Sequence, residues 1–127
     1  MYALFLVIAG GGIGAGLRHA VNLYALRWLG AEFPWGTLTV NVVGSFLIGA
    51  FAAWFAFRGD GYTTQSLRLF LTTGILGGFT TFSAFSLDFV LLFERGETLL
   101  AVGYVLTSVI LSLAAIFAGL WLVRSFA

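Results

Sequence analysis

Residues 72–86 decide the fold of this chain, and they read TTGILGGFTTFSAFS. They lie within the 19 uncharged residues at positions 69–87, close to the ~20 that a helix needs to cross a ~30 Å hydrocarbon core. Three glycines followed by hydroxyl residues favour a continuous helix poorly. Non-helical backbone at membrane depth persists only where protein buries it or a polar cavity adjoins it. The stretch predicts a span broken near its middle; the alternative is an unbroken helix whose hydroxyls bond their own carbonyls.

The rest of the chain predicts three more spans. Uncharged stretches cover positions 33–57 and 98–123, and the first 17 residues are also uncharged. Of the 127 residues 61% are hydrophobic and 9% charged, whereas a soluble domain usually carries about 25% charged residues. We expect spans at about 1–29, 35–57, 66–93 and 97–123, forming one all-α transmembrane domain over residues 1–127.

The composition argues against several functional classes. A net charge of +1 gives no basic patch for nucleic acid and no polybasic lipid-binding segment. The absence of cysteine excludes disulfides and thiolate metal sites. A single histidine, with no carboxylate near it in sequence, supplies too few groups for hydrolytic chemistry. We therefore expect a membrane protein that is not an enzyme and has no nucleic-acid partner.

The basic residues are all arginine and divide equally between the two sides of the membrane. With four spans, each side receives three of them: Arg58, Arg68 and Arg124 on one side, and Arg18, Arg27 and Arg95 on the other. An excess of Lys and Arg in cytoplasmic loops normally sets orientation. Because there is no excess, the sequence predicts insertion in both orientations and an antiparallel, dual-topology homodimer.

Polar residues form a stripe on each of two spans. Asn41 is the one amide deep in a span, and it shares a helix face with Thr37 and Ser45. Span four repeats the four-residue spacing at Tyr104, Ser108 and Ser112. One interpretation is hydrogen bonding between packed helices. The other is a path of N–H and O–H donors, which suits a small anion because neither stripe carries a lysine or a carboxylate.

Two further features have open interpretations. Phe82, Phe85 and Phe89 share one helix face, either for packing or to present their electropositive ring edges to an anion. Arg18 follows a glycine run. It is either an interfacial anchor or a charge that attracts anions.

Three motifs resemble the Fluc (CrcB-type) fluoride channels over nearly the whole chain. They are GGIGAGLR at 11–18, GTLTVNVVGSF at 36–46 and GGFTTFSAFS at 77–86. Any one alone is weak, but three in order within a four-span chain of this size are specific. The resemblance implies a fluoride-selective channel that exports fluoride passively as an antiparallel dimer with two pores. The arginine count reaches the same dimer independently.

The resemblance also implies roles for individual residues. Asn41 would donate to fluoride, and Phe82 and Phe85 would turn ring edges to it. Gly77 and Thr80 would offer main-chain carbonyls to a structural Na⁺ shared by the two subunits. The remaining residues of the fluoride path would be Thr81, Ser83, Tyr104, Ser108 and Ser112, with Arg18 in a vestibule. The implied partners are fluoride, Na⁺, a second copy and the lipid bilayer of a bacterial inner or plasma membrane.

The main rival hypothesis is a small multidrug-resistance-type proton-coupled exporter, which also has four spans and dual topology. Such a transporter needs a titratable carboxylate within the membrane. Spans one, two and four have none in their interiors, and Asp88 lies toward an end of span three. A third hypothesis is a structural subunit of a larger membrane complex, which predicts no ion flux from the purified protein.

Overall fold

The computed structural model describes residues 1–59 and 61–126, and all regular structure in that part of the chain is helical. Four helical stretches there are long and apolar enough to cross a membrane. Three are single α-helices: α1 (Tyr2–Leu29), α2 (Trp35–Ala56) and α6 (Thr98–Phe126). The third stretch, Tyr62–Glu94, contains α3 (Tyr62–Arg68), a π-helical segment (Leu69–Leu76), α4 (Gly77–Phe79) and α5 (Ser83–Glu94). The predicted all-α, four-span class is confirmed.

The predicted boundaries lie within three residues of the observed ones, except that the third span begins four residues earlier than predicted. The first helix ends where Gly30 adopts φ 84°, a conformation that favours glycine. Residues 62–65, which precede the predicted third span, are helical, and the Gln65 N–H donates to the Gly61 carbonyl at 2.9 Å. Gly59, in the connection between α2 and α3, also has a positive φ, of 83°. Asp60 and Ala127 lie outside the described residues.

Glycines set how closely the helices approach. Gly10 and Gly14 of α1 are buried against the π-helical segment, and a Cβ on Gly14 would overlap the Ile75 carbonyl. Helices α2 and α6 also meet closely, because a Cβ on Gly119 would overlap the Phe46 carbonyl. Small residues allow such backbone contact between membrane helices. The packing pairs α1 with the first half of the third span, and α2 with α6.

A small apolar core joins α2, α5 and α6 at one end of the molecule. Its buried members are Leu38, Leu92, Ala101 and Tyr104. Phe33 packs its ring edge-on against Tyr104, with centroids 5.4 Å apart and planes at 89°. This core fixes the start of α6 relative to α5, and therefore fixes the polar stripe that α6 carries.

Candidate functional site

The backbone leaves helical geometry at residues 80–82, between α4 and α5. Thr80 is extended, with φ −83° and ψ 160°. In a continuous helix the Gly78 carbonyl would accept a hydrogen bond from the N–H of Phe82. Here that carbonyl and both backbone groups of Thr81 need other partners, because unpaired backbone groups within a membrane are costly. Residues 80–82 are called the 80–82 linker below.

The side chain of Asn41 pairs with the linker at two points. Its Nδ2 donates to the Thr81 carbonyl at 3.0 Å, and the Thr81 N–H donates to its Oδ1 at 2.8 Å. This pairing fixes which end of the amide is oxygen, and it leaves one Nδ2 hydrogen for another acceptor. The Thr81 hydroxyl accepts from the Ala84 N–H at 3.2 Å and so caps the start of α5.

Arg18 reaches the same region from α1. Its Nε donates to the Gly78 carbonyl at 3.1 Å, and the side chain is half-buried. The predicted vestibule residue therefore lies directly against the backbone that precedes the linker.

A groove of about 350 Å³ lies beside the linker and is open on one side. It brings together seven of the predicted site residues: Asn41, Thr80, Thr81, Phe82, Phe85, Ser108 and Ser112. Ser45 and three aliphatic side chains complete its wall. The groove surface is thus mostly apolar, with hydroxyl and amide groups set among aromatic and aliphatic side chains, and none of its lining residues is ionisable.

Ser108 differs from five hydroxyl residues of the helices that satisfy their own hydrogen bonds. The hydroxyls of Thr39, Thr72, Thr80, Ser86 and Ser125 each donate to the carbonyl four residues earlier. The Ser108 Oγ is buried and has no hydrogen-bond partner within the described part of the chain. A buried hydroxyl without a partner loses the hydrogen bonds that it makes in water, so the wall of the groove contains a buried donor without an acceptor.

The aromatic residues divide between the groove and its back wall. Phe82 is 79% exposed, and its ring centroid lies 5.6 Å from that of Phe85. Tyr104 lies behind Phe85, with the two ring centroids 5.2 Å apart, and is fully buried. Its hydroxyl donates to Asp88 Oδ2 at 3.2 Å, and Tyr104 is not among the groove residues. Of the predicted span-four stripe, Ser108 and Ser112 line the groove, whereas Tyr104 faces Asp88.

A second cavity, of about 340 Å³, adjoins the loop between α1 and α2. Asn22, Thr37, Asp88 and Arg95 are its polar lining residues. Asn22 and Asp88 were not among the predicted site residues. Their spacing could have predicted that they share helix faces with predicted site residues, because Asn22 follows Arg18 by four residues and Asp88 follows Phe85 by three.

The other predicted residues lie at or near the linker. Ser83 is exposed at the start of α5 and does not line the groove. Gly77 is exposed at the start of α4, and Thr80 is half-buried. The hydrogen bonds made outside helices in the described part of the chain include none to the carbonyl of Gly77 or Thr80. That part also has no cluster of three or more His, Asp or Glu side chains able to hold a metal ion.

Four spanning helices, three of which line a groove that contains amide and hydroxyl groups and no ionisable side chain, indicate a small helical membrane transport protein. The chain belongs to the CrcB family, whose model, described as "CrcB-like protein, Camphor Resistance (CrcB)", matches residues 5–120.

Curated relatives from several bacteria resemble the chain over its full length. The fluoride-specific ion channel FluC of Mesorhizobium japonicum is 58% identical over 125 residues, which are 98% of each chain. That of Granulibacter bethesdensis is 55% identical over 98% of this chain and 97% of its own. That of Rhizobium etli is 54% identical over all of both chains. These findings confirm the resemblance and the prediction of a multi-pass bacterial membrane protein that is not an enzyme.

Proposed function

We propose that this protein is a fluoride-selective channel through which fluoride leaves the cell passively. The buried, unpartnered Ser108 hydroxyl is the observation that carries the proposal. It lines the same groove as Asn41, which has an N–H group to spare after pairing with Thr81. Donors that lack acceptors, without a fixed charge beside them, form a site for a small anion. The curated relatives are named as fluoride-specific channels.

The composition of the groove also suits release of the ion. Fluoride is strongly hydrated, so a selective pore replaces its water with closely spaced donors. The edges of Phe82 and Phe85 add positive potential without a formal charge. A deep lysine or arginine in the groove would hold the anion too tightly for conduction. We assign the fluoride path to the groove residues Asn41, Thr81, Phe82, Phe85, Ser108 and Ser112. Ser83 and Tyr104, which the resemblance also placed on the path, lie beside the groove.

We further propose that two copies assemble as an antiparallel, dual-topology dimer. One side of the groove is open, and Phe82 beside it is 79% exposed. Thr73 and Ser83 are also exposed on the third span. Polar groups and an open groove that face hydrocarbon are unfavourable, and a second copy would cover them. The equal division of the arginines supports the inverted arrangement.

The 80–82 linker, in this proposal, is a break at mid-membrane that helps to hold a structural Na⁺. Backbone carbonyl oxygens are suitable ligands for a hard cation, and those of Gly77 and Thr80 accept none of the hydrogen bonds made outside helices. Gly77 is also exposed on the single chain, where a second copy could share the ion. When bound, Na⁺ would be held by the partial negative charge of these carbonyl oxygens and would link the two subunits.

Fluoride efflux from liposomes that contain only this purified protein tests the proposal. A fluoride electrode should record rapid efflux without a proton gradient, and chloride efflux should be far slower. A requirement for a proton gradient would favour the exporter hypothesis, which the structure does not favour, because the groove has no carboxylate and Asp88 is bonded to Tyr104. No fluoride flux from a folded dimer would overturn the channel proposal and favour a structural subunit.

A further inference from the structure

The side chains of two different helices hold the backbone around the 80–82 linker. Asn41 of α2 forms hydrogen bonds with the N–H and the carbonyl of Thr81, and Arg18 of α1 donates to the Gly78 carbonyl. The Gly78 carbonyl is the acceptor that Phe82 would have used in a continuous helix. Arg18 therefore takes the place of a backbone donor that the linker has removed.

The glycines of α1 allow this contact. Gly14 precedes Arg18 by four residues and lies on the same face of the helix. A Cβ on Gly14 would overlap the Ile75 carbonyl, and a Cβ on Gly78 would overlap the Gly11 carbonyl. The two backbones thus touch within the two turns of α1 that precede Arg18. Without that approach, the Nε of Arg18 would not reach Gly78.

We propose that Arg18 is a positioning residue for the 80–82 linker, acting through its Nε–H rather than through attraction of anions by its charge. Its bond to Gly78 fixes the end of α4, from which Thr81 and Phe82 continue into the wall of the groove. Arg18 itself is not among the groove residues. The inference rests on the proposed channel function only for its flux measurement.

Glutamine and methionine separate the two roles of Arg18. The Nε2 of glutamine stands at the same position along the side chain as the Nε of arginine, so Arg18→Gln removes the charge and keeps an N–H donor there. Arg18→Met has a similar reach with neither charge nor donor. Arg27→Gln is the matched control, because Arg27 lies further along α1 on the same predicted side of the membrane. It removes one charge from that side without touching the linker.

The experiment compares fluoride efflux with hydrogen exchange of residues 79–84 in the dimer. Arg18→Gln should keep efflux within about threefold of the parent, whereas Arg18→Met should lose about tenfold or more, as expected for loss of a charged-group hydrogen bond. Exchange at these residues should rise in Arg18→Met and stay at the parent level in Arg18→Gln and Arg27→Gln.

The opposite pattern would overturn the inference. If Arg18 attracts anions, both variants lose the same flux, exchange stays unchanged, and the loss disappears at high ionic strength because salt screens charge. Parent-like flux and exchange in Arg18→Met would also contradict the positioning role. If Arg18→Met does not fold, the fluoride flux of Arg18→Gln and its dependence on salt distinguish the two roles of Arg18. Parent-like flux supports the positioning role, and a loss that high salt removes contradicts it. A parent without fluoride flux would refute the channel proposal, whereas exchange would still test the contact.

Discussion

The α2–α6 contact and the contact of α1 with the third span use glycine in the same way but have different consequences. In the first, Gly49 and Gly119 let two regular helices touch, with the Phe46 and Ile116 carbonyls close to them. In the second, Gly10 and Gly14 bring α1 against a π-helical segment, and the chain then leaves helical geometry at residues 80–82.

The two contacts differ in which groups form hydrogen bonds with the backbone N–H and C=O groups. Regular helices such as α2 and α6 pair their own N–H and C=O groups. Around the 80–82 linker, Asn41 and Arg18 from neighbouring helices supply the missing partners. Close packing alone therefore gives a rigid membrane scaffold. Where side chains of neighbouring helices also take the place of backbone hydrogen-bond partners, the chain can form non-helical backbone within the membrane. Such backbone is otherwise excluded from a membrane.

The largest expected effect comes from Asn41→Asp, which breaks the site and leaves the scaffold helices intact. The carboxylate cannot donate to the Thr81 carbonyl, and it places negative charge on the anion path. The two losses together should lower fluoride efflux by about 100-fold or more. Thr39→Ala on the same helix is the control, because its hydroxyl bonds only to the Trp35 carbonyl. Equal efflux in both variants would remove Asn41 from the path.

Replacing either of two glycines of α1 by alanine tests the contact between α1 and the third span through the stability of the protein. Gly14→Ala forces a Cβ onto the Ile75 carbonyl and should destabilise the protein by about 1–3 kcal/mol. Gly12→Ala meets open space within one chain and should leave thermal unfolding of the monomer nearly unchanged. Thermal unfolding in detergent, under conditions that keep the chain monomeric, measures both. Similar melting temperatures for the two variants would contradict the close approach of α1.

Replacing the rings tests their chemistry separately from their size. Phe82→Ile and Phe85→Ile keep an apolar side chain and remove the electropositive edge, so each should lower fluoride efflux by roughly tenfold. Phe117→Ile is the control on the scaffold, since Phe117 is 69% exposed on α6. Liposome efflux at matched protein density measures all three. Parent-like rates in both ring variants would show that the rings do not contact the ion.

The smallest expected effect concerns a single hydroxyl. Ser108→Ala removes one unpartnered donor from the groove and should lower fluoride efflux severalfold. Ser125→Ala on the same helix should have no effect, because its hydroxyl already bonds to the Trp121 carbonyl. A rise in stability without any loss of flux in Ser108→Ala would mean that this hydroxyl does not meet the ion.

The sequence predicted the spans well because hydrophobic length alone determines them. Four-residue spacing placed Ser108 and Ser112 on one face of span four, and the resemblance to the Fluc family grouped them with Asn41 and Phe85. The sequence did not predict the pairing of Asn41 with Thr81 or of Arg18 with Gly78, which join residues 40 and 60 positions apart. Such contacts depend on how helices pack, and no local pattern encodes them.

Tyr104 shows the limit of helical periodicity as a guide. It shares its stripe with Ser108 and Ser112, yet its hydroxyl bonds to Asp88, and Phe85 packs against its ring. The four-residue spacing gives the helix face, but the length of the side chain decides which neighbour its polar atom meets. The fluoride path and the Na⁺ site remain predictions.

The reversal potential of current through the purified protein in a planar bilayer tests the central claim most directly. With fluoride on one side and an equal concentration of chloride on the other, an anion path of uncharged donors selective for fluoride should give a reversal potential far from zero, with the sign set by fluoride. A reversal potential near zero, or no current from a protein that is folded and dimeric, would contradict the account.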